Sequence, residues 1–202
     1  MDPTALDALD ENDASPLHVF LKMQIKLLDH HVFAHFSEIL EILITKNNIN
    51  MQDRFGCTPL HYLCNILNAK VLRYDLPDDF CKGFLDLINR MKSPLNGHLQ
   101  DENGQTALHI LSSKLFMNPN LGKLILPVID ALAEVSCPNV TDTHAVTPYT
   151  WMYMENQFIA ANELNHNCPR DAEVKMFAKT EETLAKNGAD IKKAKAGITS
   201  AL

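Results

Sequence analysis

Four times along this chain a hydroxyl residue introduces a short apolar run. Ser15 does so in DENDASPLH, Thr58 in DRFGCTPLH, Thr106 in DENGQTALH and Thr147 in DTHAVTPYT. An acidic residue stands five positions before each of them: Asp10, Asp53, Asp101 and Asp142. In three of the four copies a proline follows the hydroxyl residue at once, which at first sight argues against a helix. The local chemistry says the opposite. A hydroxyl at the N-cap accepts a backbone N–H two or three residues on, and a proline at the first helical position gives up an N–H that has no partner there. Each stretch is therefore a helix start. Gly56 and Gly104, two residues before their caps, suit a turn that needs positive φ.

Between these starts lie apolar residues at three-to-four spacing, the mark of a half-buried helix. SEILEILIT carries Ile39, Leu40, Ile42, Leu43 and Ile44; FCKGFLDLINRM carries Phe80, Phe84, Leu85, Leu87, Ile88 and Met91. Leu124, Leu126, Ile129, Leu132 and Val135 form a third such face, and Val174, Phe177, Thr180 and Leu184 a fourth, stopped by Gly188. Pro127 inside the third run implies a kink, or a helix that begins there. One helix pair cannot bury its apolar faces alone, so neighbours must stack into a continuous core. A fifth echo, AKAGITSAL, places Thr199 at a further cap.

The two halves together resemble the ankyrin repeat, whose D-x-x-G-x-T-P-L-H opening is followed by a second helix leaving through G-A-D-(V/I)-N. Asn187-Gly188-Ala189-Asp190-Ile191 carries that exit, and Phe36 to Asp53 matches the second helix together with its exit. The resemblance implies an all-α ankyrin-repeat solenoid, one domain over residues 1–202. Its units run about 10–52, 53–100, 101–141 and 142–194, and 195–202 opens a further, truncated unit. Successive caps, Thr199 included, are 43, 48, 41 and 52 residues apart, against about 33 for an ordinary repeat. The excess falls mostly between first and second helices, as in NAKVLRYDLPDD, FMNPNLGKLILP and the helix-like QIKLLDHHVFAH. The unit from Asp142 departs furthest: Ala145 replaces the turn glycine and Thr150 the histidine, while Trp151 and Tyr153 are bulky where small residues are usual. By resemblance, His18, His61 and His109 tie adjacent units together and are structural. The acidic start, DPTALDALDEND, is expected to shield the first unit.

Composition removes several function classes. The net charge of -7, with scattered basic residues, does not suit phosphate binding, which needs a clustered basic surface. Lys192, Lys193 and Lys195, the one basic cluster, read as a solvated turn. Five cysteines with no CxxC fit neither a disulfide framework nor a structural zinc site. No apolar run approaches the roughly 18 residues of a membrane helix, and the acidic N-terminus is not a secretory signal. His31 and His35 have the i, i+4 spacing of a metal pair but lack an HExxH acid and a third ligand. Cys57 before a helix start, and Cys168 near His166, are the candidate nucleophiles; neither has a triad or oxyanion signature. No catalytic residue, cofactor or metal is expected.

Binding is what the resemblance implies: a protein partner held on the concave face of turn tips and first helices, with no nucleic acid, membrane insertion or small-molecule substrate. Carried onto this chain, that surface comprises Gln52, Arg54, Phe55 and Cys57 in one turn, then Gln100, Glu102, Asn103 and Gln105. Thr143 and His144 continue it, and the first helices add Asn65, Ile66, Ser113 and Lys114, with Lys22, Met23, Met154 and Glu155 at matching positions. Phe55 is singled out because an aromatic ring at a turn tip is a common interface anchor. A cytoplasmic setting is expected. The alternative is a targeting arm of a larger enzyme whose catalytic domain lies beyond Leu202. The overlong units are also similar to those of secreted effectors of intracellular bacteria, which would place the chain in a host cytoplasm.

Overall fold

The computed structural model of the chain describes residues 3–27, 35–71, 78–91, 95–112, 122–161 and 170–201. These hold nine α-helices and no strand. They are α1 (Pro16–Leu27), α2 (Phe36–Leu43), α3 (Pro59–Val71), α4 (Asp78–Met91), α5 (Ala107–Ser112), α6 (Gly122–Val135), α7 (Pro148–Ala161), α8 (Arg170–Lys186) and α9 (Ile191–Ala201). Three of the first helices begin at the proline after the cap residue, as the sequence implies.

The helices form two rows. In one, α1 packs on α3, α3 on α5, α5 on α7 and α7 on α9; in the other, α2 packs on α4, α4 on α6 and α6 on α8. Contacts of α1 with α2, α5 with α6 and α7 with α8 join the rows. The core is continuous. Leu17, Leu21, Leu63, Leu67, Leu108 and Leu111 from the first row meet Phe36, Leu40, Phe84, Ile88, Ile125 and Ile129 from the second. Each such side chain, fully buried, contributes about 1.5–3 kcal/mol. A cavity of about 20 Å³ between the rows, lined by Leu17, Ile49, Leu60, Leu63 and Ile88 among others, has room for about one water.

Part of the excess length lies in the first helices: α1, α3 and α7 run to 12, 13 and 14 residues. The loops and extra turn expected between first and second helices fall largely outside the described residues. Packing overturns one expectation. Ile66 is completely buried in α3, which packs on both α1 and α5, so it is not available to a partner.

Two boundaries also differ. A helix start at Pro127 is excluded, since α6 begins at Gly122 and runs through the proline. Thr199 is not a cap, since α9 already begins at Ile191. The chain leaves α8 through a Schellman turn. Gly188 takes φ +92, its N–H donates to Ala185 O (3.0 Å), and Ala189 N–H donates to Leu184 O (2.9 Å). Asp190 then caps α9 by accepting Lys193 N–H at 3.0 Å. The further first helix thus starts before residue 195, with no D-x-x-G turn in front of it. Lys192, Lys193 and Lys195 lie on this helix, not in a turn, and Lys195 pairs with Glu181 at 2.9 Å.

Candidate functional site

The four acidic residues build four copies of one turn. In each, Oδ1 accepts two backbone N–H groups, from the second and fourth residues on. The acceptors and donors are Asp10 from Asn12 and Ala14 (2.7 and 2.9 Å), Asp53 from Phe55 and Cys57 (3.0 and 3.1 Å), Asp101 from Asn103 and Gln105 (2.9 and 2.8 Å), and Asp142 from His144 and Val146 (both 2.9 Å). The fourth residue of each turn is left-handed: Asp13 at φ +56, Gly56 and Gly104 at +72, Ala145 at +61. The turn around Ala145 therefore keeps the common geometry although its glycine is gone.

The turns stack. Arg54 N–H donates to Asn12 O (3.0 Å), Glu102 N–H to Phe55 O (2.8 Å) and Thr143 N–H to Asn103 O (3.0 Å). The Gln52 amide reaches Gly56 O and, in the next turn, Gln100 O, both at 2.8 Å. Gln100 repeats this with Gly104 O and with Thr141 O. Both glutamines are exposed, but their amides hold the frame together.

The motif histidines form a second set of links. A backbone N–H can only donate, so Ser15 N–H, Thr58 N–H and Thr106 N–H, 3.2, 3.1 and 3.0 Å from Nδ1 of His18, His61 and His109, make Nδ1 the acceptor. The proton is then on Nε2. It is donated into the following unit, from His18 to Cys57 O (3.1 Å, with Met51 O, just before that unit, also at 3.1 Å), from His61 to Gln105 O (2.9 Å) and from His109 to Val146 O (3.0 Å). Burial holds all three below the ordinary imidazole range, so they are neutral hydrogen-bonding bridges. In the fourth unit Thr150 bonds Thr147 at 2.9 Å within its own turn.

A third ladder is not evident in the sequence. Three residues before each turn aspartate stand Asp7, Asn50, His98 and Asn139, and each accepts from a following loop. Asp7 accepts from Thr45 Oγ1 (2.5 Å) and Asn47 Nδ2 (2.7 Å), Asn50 from Asn96 N–H (2.8 Å), His98 from Cys137 N–H (3.1 Å) and Asn139 from Asp190 N–H (2.8 Å). Only the ability to accept a hydrogen bond unites these side chains. The acidic N-terminal segment is thereby pinned to the loop after α2.

On the open side of this frame, Arg54, Phe55, Glu102, Asn103, Thr143 and His144 are exposed; Cys57, Asn65 and Gln105 are half-buried; Ser113 and Lys114 lie outside the described residues. Phe55, 37% exposed, is flanked by cations: the Arg54 guanidinium 4.7 Å and Lys22 Nζ 5.7 Å from its ring centre. Lys22 Nζ also lies 2.7 Å from Asp53 Oδ2, which accepts the Tyr62 hydroxyl at 2.6 Å. Burial alone would raise the Asp53 pKa, but Lys22, Tyr62 and the N–H groups of Phe55 and Cys57 hold it below the usual carboxylate range. Val19 and Met23 on α1 are exposed at 41% and 51%. Trp151 in the fourth unit donates to Asp142 Oδ2 at 2.9 Å. It does for that turn what Tyr62 does for the second, an equivalence the bulky residue conceals in the sequence.

The candidate chemical groups do not assemble. Burial, with Asp53 and Asp101 nearby, raises the Cys57 pKa to about 11, the reverse of an activated nucleophile. His35 sits at the start of α2 against Glu38 at 3.0 Å; His31, His166 and Cys168 lie outside the described residues. Among the described residues no group of three His, Cys, Asp or Glu could hold a metal ion, and no helix is long and apolar enough to cross a membrane.

No protein-family model and no curated protein sequence matches the chain. Among solved structures it is similar to the crystal structure of an ankyrin repeat domain from Acinetobacter baumannii AYE. The identity is 16%, over 92% of this chain and 87% of that one, with a TM-score of 0.37. That superposition is loose, and the fold assignment rests on the chain's own geometry. Four aspartate turns, histidine bridges between units and two rows of stacked helices make this an all-α, ankyrin-like repeat solenoid.

Proposed function

We propose that the protein is a protein-interaction scaffold that binds its partner on the concave face of turn tips and first helices. The observation that carries this reading is Phe55. It is a large ring held outward by a turn with both its own and inter-turn hydrogen bonds and faced by the Arg54 guanidinium, and Val19 and Met23 of α1 are exposed as well. None of these four side chains is needed for the turn hydrogen bonds, so they are free to specify a partner. Rigid display does the rest. The turns are fixed before the partner arrives, and little ordering entropy remains to be lost on association. A few central anchors then suffice for specific binding.

Capture from eukaryotic cell lysate with mass-spectrometric identification, run beside an Arg54→Ala/Phe55→Ala double variant, tests the proposal. A partner retained by the wild type and lost by a double variant of unchanged thermal stability is the expected result. A partner held equally well by both would place the binding surface elsewhere.

A further inference from the structure

One cluster on the concave face is filled by a side chain from another unit. Lys22 extends from α1, and its Nζ lies 2.7 Å from Asp53 Oδ2, 5.1 Å from the Tyr62 ring centre and 5.7 Å from that of Phe55. The Asp53 side chain is fully buried, while Lys22 keeps 29% of its side chain exposed and Phe55 is 37% exposed. The ammonium therefore sits at the mouth of the cluster with the carboxylate beneath it. Asp53 is fixed in place: Oδ1 accepts from Phe55 and Cys57, and Oδ2 accepts from Tyr62. A carboxylate and two aromatic rings thus converge on one point, and each attracts a cation there.

The geometry points to the Asp53, Phe55 and Tyr62 cage as a binding site for a lysine side chain presented by a partner protein, with Lys22 as the resident competitor that this lysine displaces. The inference rests on the concave face being the protein-binding surface. The chemistry of the contact selects the ligand. At 2.7 Å from Oδ2 the bound nitrogen must donate an N–H, which a lysine ammonium does and a quaternary ammonium cannot. The site accepts a point charge at the end of a thin stem, which suits lysine better than the planar fork of arginine. After the exchange the incoming ammonium covers the buried carboxylate as Lys22 did, so the end state carries no unpaired buried charge. Lys22, on a flexible stem, is tethered beside the cage and lowers the apparent affinity for any incoming lysine.

The test is an NMR titration of the full chain with Nα-acetyl-lysine methylamide, followed at Phe55 and Tyr62. The Lys22→Ala variant should bind this probe about tenfold more tightly than the wild type, because the tethered competitor is gone. Lys22→Ala/Phe55→Ala should lose that gain. Circular dichroism checks folding, and Lys22→Gln, which still offers Asp53 an N–H donor, serves as the second background if Lys22→Ala does not fold. Tetramethylammonium should bind more weakly than the lysine probe. Equal affinity of wild type and folded Lys22 variants, or tetramethylammonium binding as well as lysine, overturns the cage. If the cage fails while the Arg54→Ala/Phe55→Ala variant still loses its partner, the scaffold reading stands without it; if that variant also keeps its partner, both fall.

Discussion

The two inner turns and the two outer turns share one backbone shape but carry different residues at the left-handed position. The inner turns have Gly56 and Gly104; the outer ones have Asp13 and Ala145. Positive φ alone does not explain this, because all four have it. The surroundings do. A Cβ on Gly56 would meet the Asp101 backbone at 3.1 Å, and one on Gly104 would meet Thr143 N at 2.8 Å. Asp13 and Ala145 are exposed. Among the described residues no aspartate turn follows the fourth, and the step after the first has Leu9 where the inner steps have a bridging glutamine. Glycine is thus required where turns are pressed together, and only preferred where they are not.

The largest expected effect breaks an inner turn. Gly104→Ala adds left-handed strain and a backbone clash, and should cost about 3–4 kcal/mol in urea unfolding. A loss below about 1 kcal/mol would mean the inner turns are no tighter than the outer ones. Next comes the histidine bridge. His61→Ala strands the buried Thr58 N–H and removes one of the two donors to Gln105 C=O, which keeps the Asp101 N–H; it should cost about 2 kcal/mol, whereas Thr150→Ala, which bonds only within its own turn, should cost about 1 kcal/mol or less. Similar losses for the two would show that the links between units contribute nothing extra.

Acid should reach the inner links before the turn carboxylates. Because burial sets His18, His61 and His109 below 6.5, the unfolded chain takes up protons first as pH falls. Their contribution is full above about 6.5 and is lost as pH drops through the folded-state values. Asp53 and Asp142 lie below 3.8 in the fold, so their share is present above 3.8 and lost only beneath it. Urea midpoints measured from pH 7.5 to 4.5 should fall with decreasing pH, and His61→Ala should flatten that slope. The smallest effect is a gain. Ala145→Gly relieves left-handed strain against a more flexible unfolded chain, for a net stabilisation of about 0.5 kcal/mol in the same assay.

Most of the frame was legible because it depends on particular side chains. The aspartates, the hydroxyl caps and the histidines are each fitted to their bond by chemistry and spacing together, so their recurrence exposes the units. Residues that share a task but not a chemistry were hidden. Asp7, Asn50, His98 and Asn139 look unrelated until their acceptors line up, and Tyr62 and Trp151 share only a donor and a ring. The surface was less legible than the frame. Gln52 and Gln100 sit where a partner could reach them, yet their amides are engaged between turns. Ile66 went inward because α3, packed on both α1 and α5, has little free face, which the pattern of one helix does not show. Thr199 echoed a cap by composition, while Asp190, just past the Schellman turn, had already started the helix.

The three ladders all cross from unit to unit near the aspartate turns. The molecule is bound along one edge, like the spine of a book, and its pages need not be cut to equal length. The first three units, 43, 48 and 41 residues long, keep the same register along this spine although their lengths differ.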